Sequence, residues 1–326
     1  MQDEGAEIER PSVVISVIIL NYNGKRYLER CLSTLLAQTR RDIEVIMVDN
    51  GSTDGSIDYL ECQFPEVRIV KNEKNLGFAG GVNSGIRVAK GDCILTLNND
   101  TQVDKDFVKC LSEAMDSDEK VGMCASKMLF CDGSINSAGI CLSQSGAAWG
   151  RGMSELDLGQ YDEMKDVFGP CAGAALYRRA MLDEIGLFDE DFFMYMEDVD
   201  LAFRARLAGW RCLYVPDAKV YHVHGGTAGF GSDFSVYYGN RNVLWYVIKD
   251  LPIVLLIYYI PWILGRNLAV IPYYALKGKG RTILRSKFDA LKGVPLMLRK
   301  RKGIVRKVPA KEISKYIMRW SDVREP

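Results

Sequence analysis

The chain has 326 residues, of which 48% are hydrophobic and 26% are charged, a composition typical of one large folded domain with a smaller appendage. Its 42 basic and 42 acidic residues cancel, so no net charge favours nucleic acid as a partner. The nine cysteines include no CxxC pair, which argues against a disulfide framework or a zinc site. Residues 1–12 are polar and acidic, so we expect a disordered tail, no secretory signal and a cytoplasmic active domain.

Strands and helices are predicted to alternate over the first third of the chain. Four apolar runs with the character of buried strands lie at residues 13–20, 43–48, 67–70 and 93–97. Helical patterns lie between them at residues 25–38, after residue 56 and within residues 77–89. Because strands that alternate with helices form βαβ units, the pattern predicts an α/β fold with a mostly parallel central sheet.

The pattern is less regular beyond residue 100. The segments that follow are predicted to be a helix at 104–115, short strands and turns at 121–149, a strand within 168–177, helices at 179–185 and 197–208, and strands at 212–215 and 219–223. We place the end of the catalytic domain near Asn240. This gives a catalytic domain at residues 13–240 and a helical region at residues 241–326.

A polar cluster follows each of the four predicted strands in the first third of the chain. The carboxyl ends of parallel strands meet at one edge of a sheet, where such sheets bind ligands. The polar side chains that we expect at this edge include Asn21, Asn23, Asp49, Asn99 and Asp100. Neither GxGxxG nor GxxxxGKS/T occurs, which argues against a Rossmann dehydrogenase and a P-loop enzyme.

Two acids at this edge have specific candidate roles. Asp49 can accept a hydrogen bond from the N–H group of a uracil or thymine base, and the alternative is an Asx turn that caps the next helix. Asp100 can hold a divalent metal that bridges two phosphates, and its oxygens suit Mg²⁺ or Mn²⁺. The alternative for Asp100 is an ordinary polar turn.

Further candidates lie later in the chain. Glu197, Asp198 and Asp200 open a predicted helix after an aromatic stretch, where one acid could act as a general base with a raised pKa. The alternative is that these acids only complement the positive end of the helix, and the helix alone does not decide which acid would act. His222 and His224 share one face of a predicted strand, where an imidazole could complete a metal shell or be purely structural.

Seven segments match one family in the same order along the chain. They are VSVIILNYNG, VIMVDNGSTDGS, NLGFAGGVNSGI, LTLNNDT, GPCAGAALYRR, FFMYMEDVDLAFRARLAGW and VYHVHGGT. Together they span about residues 14–227 and resemble the family 2 glycosyltransferases, particularly the bacterial and archaeal rhamnosyltransferase-like group. The resemblance implies a GT-A fold, a nucleoside-diphosphate-sugar donor such as a UDP- or dTDP-sugar, and inversion at the anomeric carbon.

The resemblance also implies a role for each candidate residue. Asn98-Asn99-Asp100 stands where the family has its DxD motif, so a single carboxylate, Asp100, would bind Mg²⁺ or Mn²⁺ beside the donor-contacting Asn99. His222 would be the later metal ligand, with His224 as the alternative. The remaining implied roles are base recognition by Asp49, a nucleoside pocket lined by Asn21, Asn23 and Asn75, and a general base at Asp198 in the catalytic Glu197-Asp198 pair.

The C-terminal region is predicted to contact a membrane. Residues 243–276 are rich in aliphatic and aromatic side chains, and residues 277–307 are strongly basic. Prolines and Arg266 are expected to break the apolar run, so we predict a helical attachment that lies on an anionic membrane surface at its cytoplasmic face, and not a clean span. The alternatives are a helical subdomain packed on the catalytic domain and a homo-oligomer interface.

The leading function is therefore an inverting, metal-assisted glycosyltransferase that acts on a lipid-linked or polysaccharide acceptor. One alternative is a catalytically inactive membrane scaffold that binds nucleotide sugars, which the intact set of Asp49, Asp100, Asp198 and His222 argues against. A second is a sugar-nucleotide pyrophosphorylase. Such enzymes have a glycine-rich basic loop after the first strand, where this chain has Asn21-Tyr22-Asn23-Gly24.

Overall fold

The computed structural model of the chain describes residues 14–222 and 231–319. The predicted disordered tail at residues 1–12 lies outside the described residues, and so does His224. All nine cysteines lie within the described ranges, and all are free thiols.

Strands and helices alternate up to Asn98, after which a short strand precedes the next helix and a group of strands follows. The strands are β1 (Ile15–Asn21), β2 (Ile43–Asp49), β3 (Arg68–Lys71), β4 (Cys93–Asn98), β5 (Thr101–Val103), β6 (Val121–Phe130), β7 (Ile135–Ser137), β8 (Ile140–Ser143) and β9 (Ala148–Gly150). The helices are α1 (Lys25–Leu36), α2 (Ser56–Gln63), α3 (Gly77–Val88) and α4 (Phe107–Asp116).

The second half of the chain completes the sheet and then turns helical. Its strands are β10 (Lys165–Asp166), β11 (Ala174–Arg178), β12 (Arg211–His222) and β13 (Ile317–Met318). Its helices are α5 (Arg179–Ile185), α6 (Glu197–Ala208), α7 (Asp233–Asp250), α8 (Ile253–Leu276), α9 (Gly280–Lys292), α10 (Val294–Arg301) and α11 (Ala310–Ser314), with a 3₁₀ turn at Glu190–Phe192.

The central sheet has the strand order β10-β12-β6-β11-β4-β1-β2-β3, with β5 beside β12 and β7 beside β6. The pairings of β1 with β2, β1 with β4, β2 with β3 and β6 with β12 are parallel. Strand β11 runs antiparallel to β4 and β6, and β10 runs antiparallel to β12. The predicted mostly parallel α/β sheet is therefore confirmed.

A hydrophobic core covers each face of this sheet. Alternate residues of β1 point to opposite faces, so Ile18 packs in one core while Ile15, Val17 and Ile19 pack in the other. Helices α1 and α4 cover the second of these cores, and α3, α5, α6 and α7 cover the first. The strands are thus buried on both faces, as their continuous apolar sequences predicted.

Two predicted elements differ from the structure. The strands predicted at 212–215 and 219–223 are one strand, β12, with a register shift between Val215 and Lys219. Pro216 lies in that irregularity because proline has no N–H group to donate to the sheet. The segment predicted as short strands begins with the ten-residue strand β6, whose buried Lys127 is accommodated by an ion pair of 2.6 Å with Asp157.

The prediction that prolines break the C-terminal apolar run is wrong. Helix α8 runs without a break for 24 residues with Pro261 and Pro272 inside it, although an interior proline removes a hydrogen bond of the helix and its ring clashes with the preceding turn. Among the described residues, α8 is the one helix that is long and apolar enough to cross a membrane. Asn240, where we placed the domain boundary, lies inside helix α7.

Candidate active site

Three side chains link the carboxyl ends of strands β1, β2 and β4. The Asn21 side chain lies at the end of β1 with no exposed surface, and its Nδ2 donates to Asp49 Oδ1 at 3.2 Å. Asn99 Nδ2 donates to Asn21 Oδ1 at 2.8 Å. A Cβ at Gly24 would lie 2.1 Å from Asn99 Nδ2, so this close approach requires glycine. The structure therefore brings Asn21, Asp49 and Asn99 together, as the strand pattern predicted.

Asp49 forms the turn that the sequence offered as an alternative to base recognition. Its Oδ2 accepts hydrogen bonds from the backbone N–H groups of Gly51 at 3.2 Å and Ser52 at 3.0 Å, an Asx-type turn. A carboxylate has about four acceptor sites, and these two bonds with the one from Asn21 use three. The turn therefore leaves Asp49 one site with which to accept an N–H group from a ligand.

Asn23 and Asn75 lie on the two sides of the Asp49 turn. Asn23 Oδ1 accepts from the backbone N–H of Thr53 at 2.8 Å. Asn75 Oδ1 accepts from Asn50 Nδ2 at 3.0 Å and from the backbone N–H of Gly77 at 2.8 Å. Asn50 was not predicted as a site residue, although it directly follows Asp49 in the same motif. It holds Asn75 at the start of α3.

Asp100 and His222 form a close pair at the same edge of the sheet. Asp100 Oδ1 lies 3.1 Å from His222 Nε2, and both side chains are nearly buried. His222 Nδ1 lies 3.2 Å from Asn136 Oδ1, and Asn98 Nδ2 lies 3.3 Å from His222 Nε2. The imidazole tautomer that satisfies both contacts carries its proton on Nδ1 and keeps a lone pair on Nε2.

In that tautomer Nε2 accepts from Asn98 and also lies beside the Asp100 carboxylate, so two acceptor atoms face each other. A divalent cation between them would satisfy both. In an octahedral Mg²⁺ site with bonds of about 2.1 Å, neighbouring ligand atoms lie about 3 Å apart, which matches the separation of this pair. The described residues contain no set of three converging His, Cys, Asp or Glu side chains. These two residues thus fit a metal whose other ligands are water and substrate phosphate, whereas His224 lies outside the described residues.

The three acids at the start of α6 occupy three different environments. Asp200 is buried in ion pairs, with Arg204 at 2.8 Å and with Lys249, so its role is structural. Glu197 is also buried, and its Oε2 has no hydrogen-bond partner in the part of the chain that the structure describes. Asp198 is partly exposed, and its Oδ2 accepts from the backbone N–H of Ala172 at 3.3 Å.

The pKa values of both Glu197 and Asp198 are raised. Burial raises the pKa of Glu197 well above its usual range, and the neighbouring Asp198 charge raises it further. Burial also raises the pKa of Asp198, although hydrogen bonds from the N–H groups of Ala172 and Val199 oppose that rise. A partly exposed carboxylate with a raised pKa is well suited to accept a proton.

Hydrogen bonds connect Asp198 with the Asp100–His222 pair. Asp198 is bonded to Ala172, and the carbonyl of the next residue, Gly173, accepts from the backbone N–H of Asn98 at 2.8 Å. Asn98 in turn contacts His222. A short path of contacting residues thus links the predicted base with the predicted metal pair. Asn136 was not predicted, because it lies among short strands with no motif to indicate a contact with His222.

The glycosyl transferase family 2 model matches residues 16–186 of the chain. An N-acetylglucosaminyl-diphospho-decaprenol L-rhamnosyltransferase from Mycobacterium tuberculosis is 30% identical over 232 residues, which cover 64% of this chain and 76% of that relative. The matched part includes the candidate residues from Asn21 to Asp100.

Two solved structures have similar folds. A GalNAc-T7 structure with UDP, GalNAc and Mn²⁺ has a TM-score of 0.59 at 17% identity, and the match covers 73% of this chain and 48% of that one. A mannosyltransferase of Pyrobaculum calidifontis with GDP-Man and Mn²⁺ has a TM-score of 0.53 at 17% identity, and the match covers 89% of this chain and 86% of that one. These likenesses confirm the predicted GT-A fold.

Proposed function

The chain belongs to glycosyl transferase family 2 and is a glycosyltransferase that uses a nucleotide-sugar donor, and on this premise we propose that it transfers the sugar of a UDP- or dTDP-sugar to an acceptor hydroxyl with inversion. The observation that carries the proposal is the path from Asp198 to His222, in which Asp198 accepts from the Ala172 N–H, the adjoining Gly173 carbonyl accepts from the Asn98 N–H, and the Asn98 side chain contacts His222. It connects a candidate general base with a candidate metal-binding pair. An inverting transfer by single displacement needs the base to deprotonate the acceptor and the metal to stabilise the leaving diphosphate.

The nucleotide part of the donor binds along the Asn99–Asn21–Asp49 chain. The free acceptor site on Asp49 receives the N–H group of a uracil or thymine base, because both bases present an N3–H group where cytosine presents an acceptor. Asn23 and Asn75 flank this position and line the nucleoside pocket. Since Asn99 is bonded to Asn21 and adjoins Asp100, the diphosphate lies toward Asp100 and His222.

The residues Asp100 and His222 would hold Mg²⁺ or Mn²⁺ beside the donor diphosphate. The ion, when bound, neutralises negative charge on the leaving diphosphate. The Mn²⁺ in both similar structures supports this proposal. Asn136 accepts the Nδ1 proton of His222 and so keeps the Nε2 lone pair turned toward Asp100.

Asp198 acts as the general base. Its carboxylate takes the proton of the acceptor hydroxyl while the hydroxyl oxygen bonds to the anomeric carbon from the face opposite the diphosphate. The bond from that carbon to the phosphate oxygen breaks, and the nucleoside diphosphate leaves with the electron pair. The buried Glu197 stays protonated beside it, because two adjacent carboxylates in a buried site do not both ionise readily.

The acceptor is a lipid-linked glycan or a growing polysaccharide. The mycobacterial relative is named for a decaprenol-linked acceptor, which supports this class. To test the function, the protein is incubated with Mn²⁺, UDP- or dTDP-sugars and a polyprenyl-diphosphate N-acetylglucosamine acceptor, and the product is examined by NMR. We expect one donor to yield a glycoside of inverted anomeric configuration. A retained configuration would refute the mechanism, and donor binding without transfer to any acceptor would favour the inactive scaffold.

The C-terminal helices attach the enzyme to the cytoplasmic face of the membrane. In α8, Leu255, Tyr259 and Ile263 are buried against the catalytic core, so the helix stays on the domain while its other face is exposed. In α9 the exposed apolar residues Leu284 and Phe288 lie one turn apart. Basic residues follow them, so the two helices present an apolar surface with a cationic border, which suits anionic lipid.

Vesicle flotation tests the attachment. We expect the protein to float with vesicles that contain phosphatidylglycerol and to bind much less to pure phosphatidylcholine, because the cationic border adds electrostatic attraction. Leu268→Glu places a charge on a side chain that is 67% exposed in α8 and should abolish binding. The control is Leu158→Glu, at a residue 83% exposed on the catalytic domain, which should bind normally. Equal binding by both variants would contradict the attachment.

A further inference from the structure

The loop before α6 has a costly backbone conformation. Phe193, Tyr195 and Met196 have φ values of 66°, 69° and 67°, in the left-handed region that residues with side chains rarely adopt. Met196 directly precedes Glu197 and Asp198, the acids of the candidate site. Such a conformation persists only where the surrounding structure holds it. Contacts from helices α7 and α3 hold this loop.

A single buried side chain contacts three carbonyls of the loop. Asn242 Nδ2, in helix α7, lies 2.9 Å from the carbonyl oxygens of Phe192 and Met194 and 2.7 Å from that of Tyr195. Asn242 has no exposed surface. Its Oδ1 accepts from Arg241 Nε at 2.8 Å, so the amide group presents its N–H atoms, and not its oxygen, to the loop.

The opposite side of the loop is held by the start of α3. The carbonyl oxygen of Phe193 accepts from the backbone N–H groups of Phe78 at 2.6 Å and Ala79 at 3.3 Å. A Cβ at Gly77 would lie 2.3 Å from this oxygen, so glycine is required there. The loop is therefore fixed between α3, which begins beside Asn75, and α7, which belongs to the C-terminal region.

We propose that Asn242 is a positioning residue for the transfer reaction. By fixing the carbonyls of Phe192, Met194 and Tyr195, it fixes the point at which α6 begins and hence the position of Asp198. Helix α7 is accordingly part of the catalytic apparatus, although it lies outside the segment that the family model matches. This inference rests on the proposed role of Asp198 as the general base.

Asn242→Asp tests the proposal, because it keeps the size of the side chain and replaces the N–H donors with an oxygen that three carbonyls repel. A displacement of about 1 Å at a reacting group can reduce a rate about a hundredfold. We therefore expect kcat to fall at least about tenfold, while the KM for the donor and the affinity for UDP with Mn²⁺ stay within about twofold. The pH at half-maximal kcat should also shift, because the surroundings of Asp198 change.

The matched control is Asn240→Asp. Asn240 lies in the same helix and is 4% exposed, but among the described residues its Nδ2 donates only to Val236 of its own helix, at 3.0 Å. It should keep the wild-type kcat and pH profile. If Asn242→Asp does not fold, Asn242→Ala removes the donors without repulsion and should show the same selective loss of kcat.

Two results would overturn the proposal. One is a wild-type kcat in Asn242→Ala, and the other is an equal loss in Asn240→Asp and Asn242→Asp. The proposed function is tested separately with Asp198→Asn, because that variant would keep its turnover if Asp198 were not the general base. If Asp198→Asn is inactive and the Asn242 variants are normal, the base assignment stands and the positioning role is refuted.

Discussion

His222 Nε2 lies 3.1 Å from Asp100 Oδ1, although the two residues are far apart in the sequence. The antiparallel pairing of β5 with β12 explains this proximity, because it sets His222 opposite Thr101, the residue after Asp100. The pair therefore depends on the sheet itself and not on a flexible loop. Its geometry underlies the proposed metal dependence of the enzyme.

Asp100→Asn should weaken Mn²⁺ binding in the presence of UDP at least about tenfold, because it removes one of the two proposed protein ligands and the charge that would attract the cation. Titration of free Mn²⁺ by electron paramagnetic resonance measures this affinity. The control is Glu113→Gln, which changes an exposed acid of helix α4 in the same way and should bind normally. Unchanged Mn²⁺ affinity in Asp100→Asn would show that the metal binds elsewhere.

Asn136→Leu should reduce Mn²⁺ affinity about 10- to 100-fold, the usual effect of losing a group that orients a metal-binding histidine. Leucine has a similar size but cannot accept the Nδ1 proton of His222, so the imidazole is free to change its tautomer. Asn136→Asp keeps an acceptor at that position and should retain most of the affinity. The same titration measures both variants, and equal affinities would contradict the orienting role of Asn136.

Glu197→Gln should change the pH dependence of stability. A buried acid with a raised pKa keeps a proton that the unfolded chain releases above about pH 4.3, so wild-type stability falls as the pH rises from there, by at most about 1.4 kcal/mol per pH unit from this group. Glutamine cannot ionise and removes that contribution. The stability of Glu197→Gln relative to wild type should therefore grow with pH, as measured by urea unfolding between pH 5 and about 8. Parallel pH curves would refute the raised pKa.

The nucleotide side of the site could be predicted because parallel strands impose it. Asn21, Asp49 and Asn99 directly follow or end strands β1, β2 and β4, and the carboxyl ends of neighbouring parallel strands meet at one edge. Their hydrogen bonds to one another follow from this arrangement. The assignment of roles to these residues came from the family resemblance, because composition alone left an Asx turn equally open for Asp49.

The positioning contacts could not be predicted, because they join segments with no pattern between them. Asn136, in strand β7, contacts His222 at the end of β12. Asn242, in helix α7, contacts the loop before α6. The local sequence also predicts a break in α8 at Pro261 and Pro272, but the helix continues through both residues. Such outcomes are decided by tertiary packing, which a single sequence does not display.

The most direct test of the account is the transfer rate of Asp198→Asn, measured beside its affinity for UDP with Mn²⁺. Asparagine has the same shape but cannot take the acceptor proton, so we predict a fall in kcat of about a hundredfold or more with nucleotide affinity within about twofold of wild type. Asp183→Asn, at an exposed acid of helix α5, should have normal activity. Turnover of Asp198→Asn close to the wild-type rate would contradict the proposed general base and with it the mechanism.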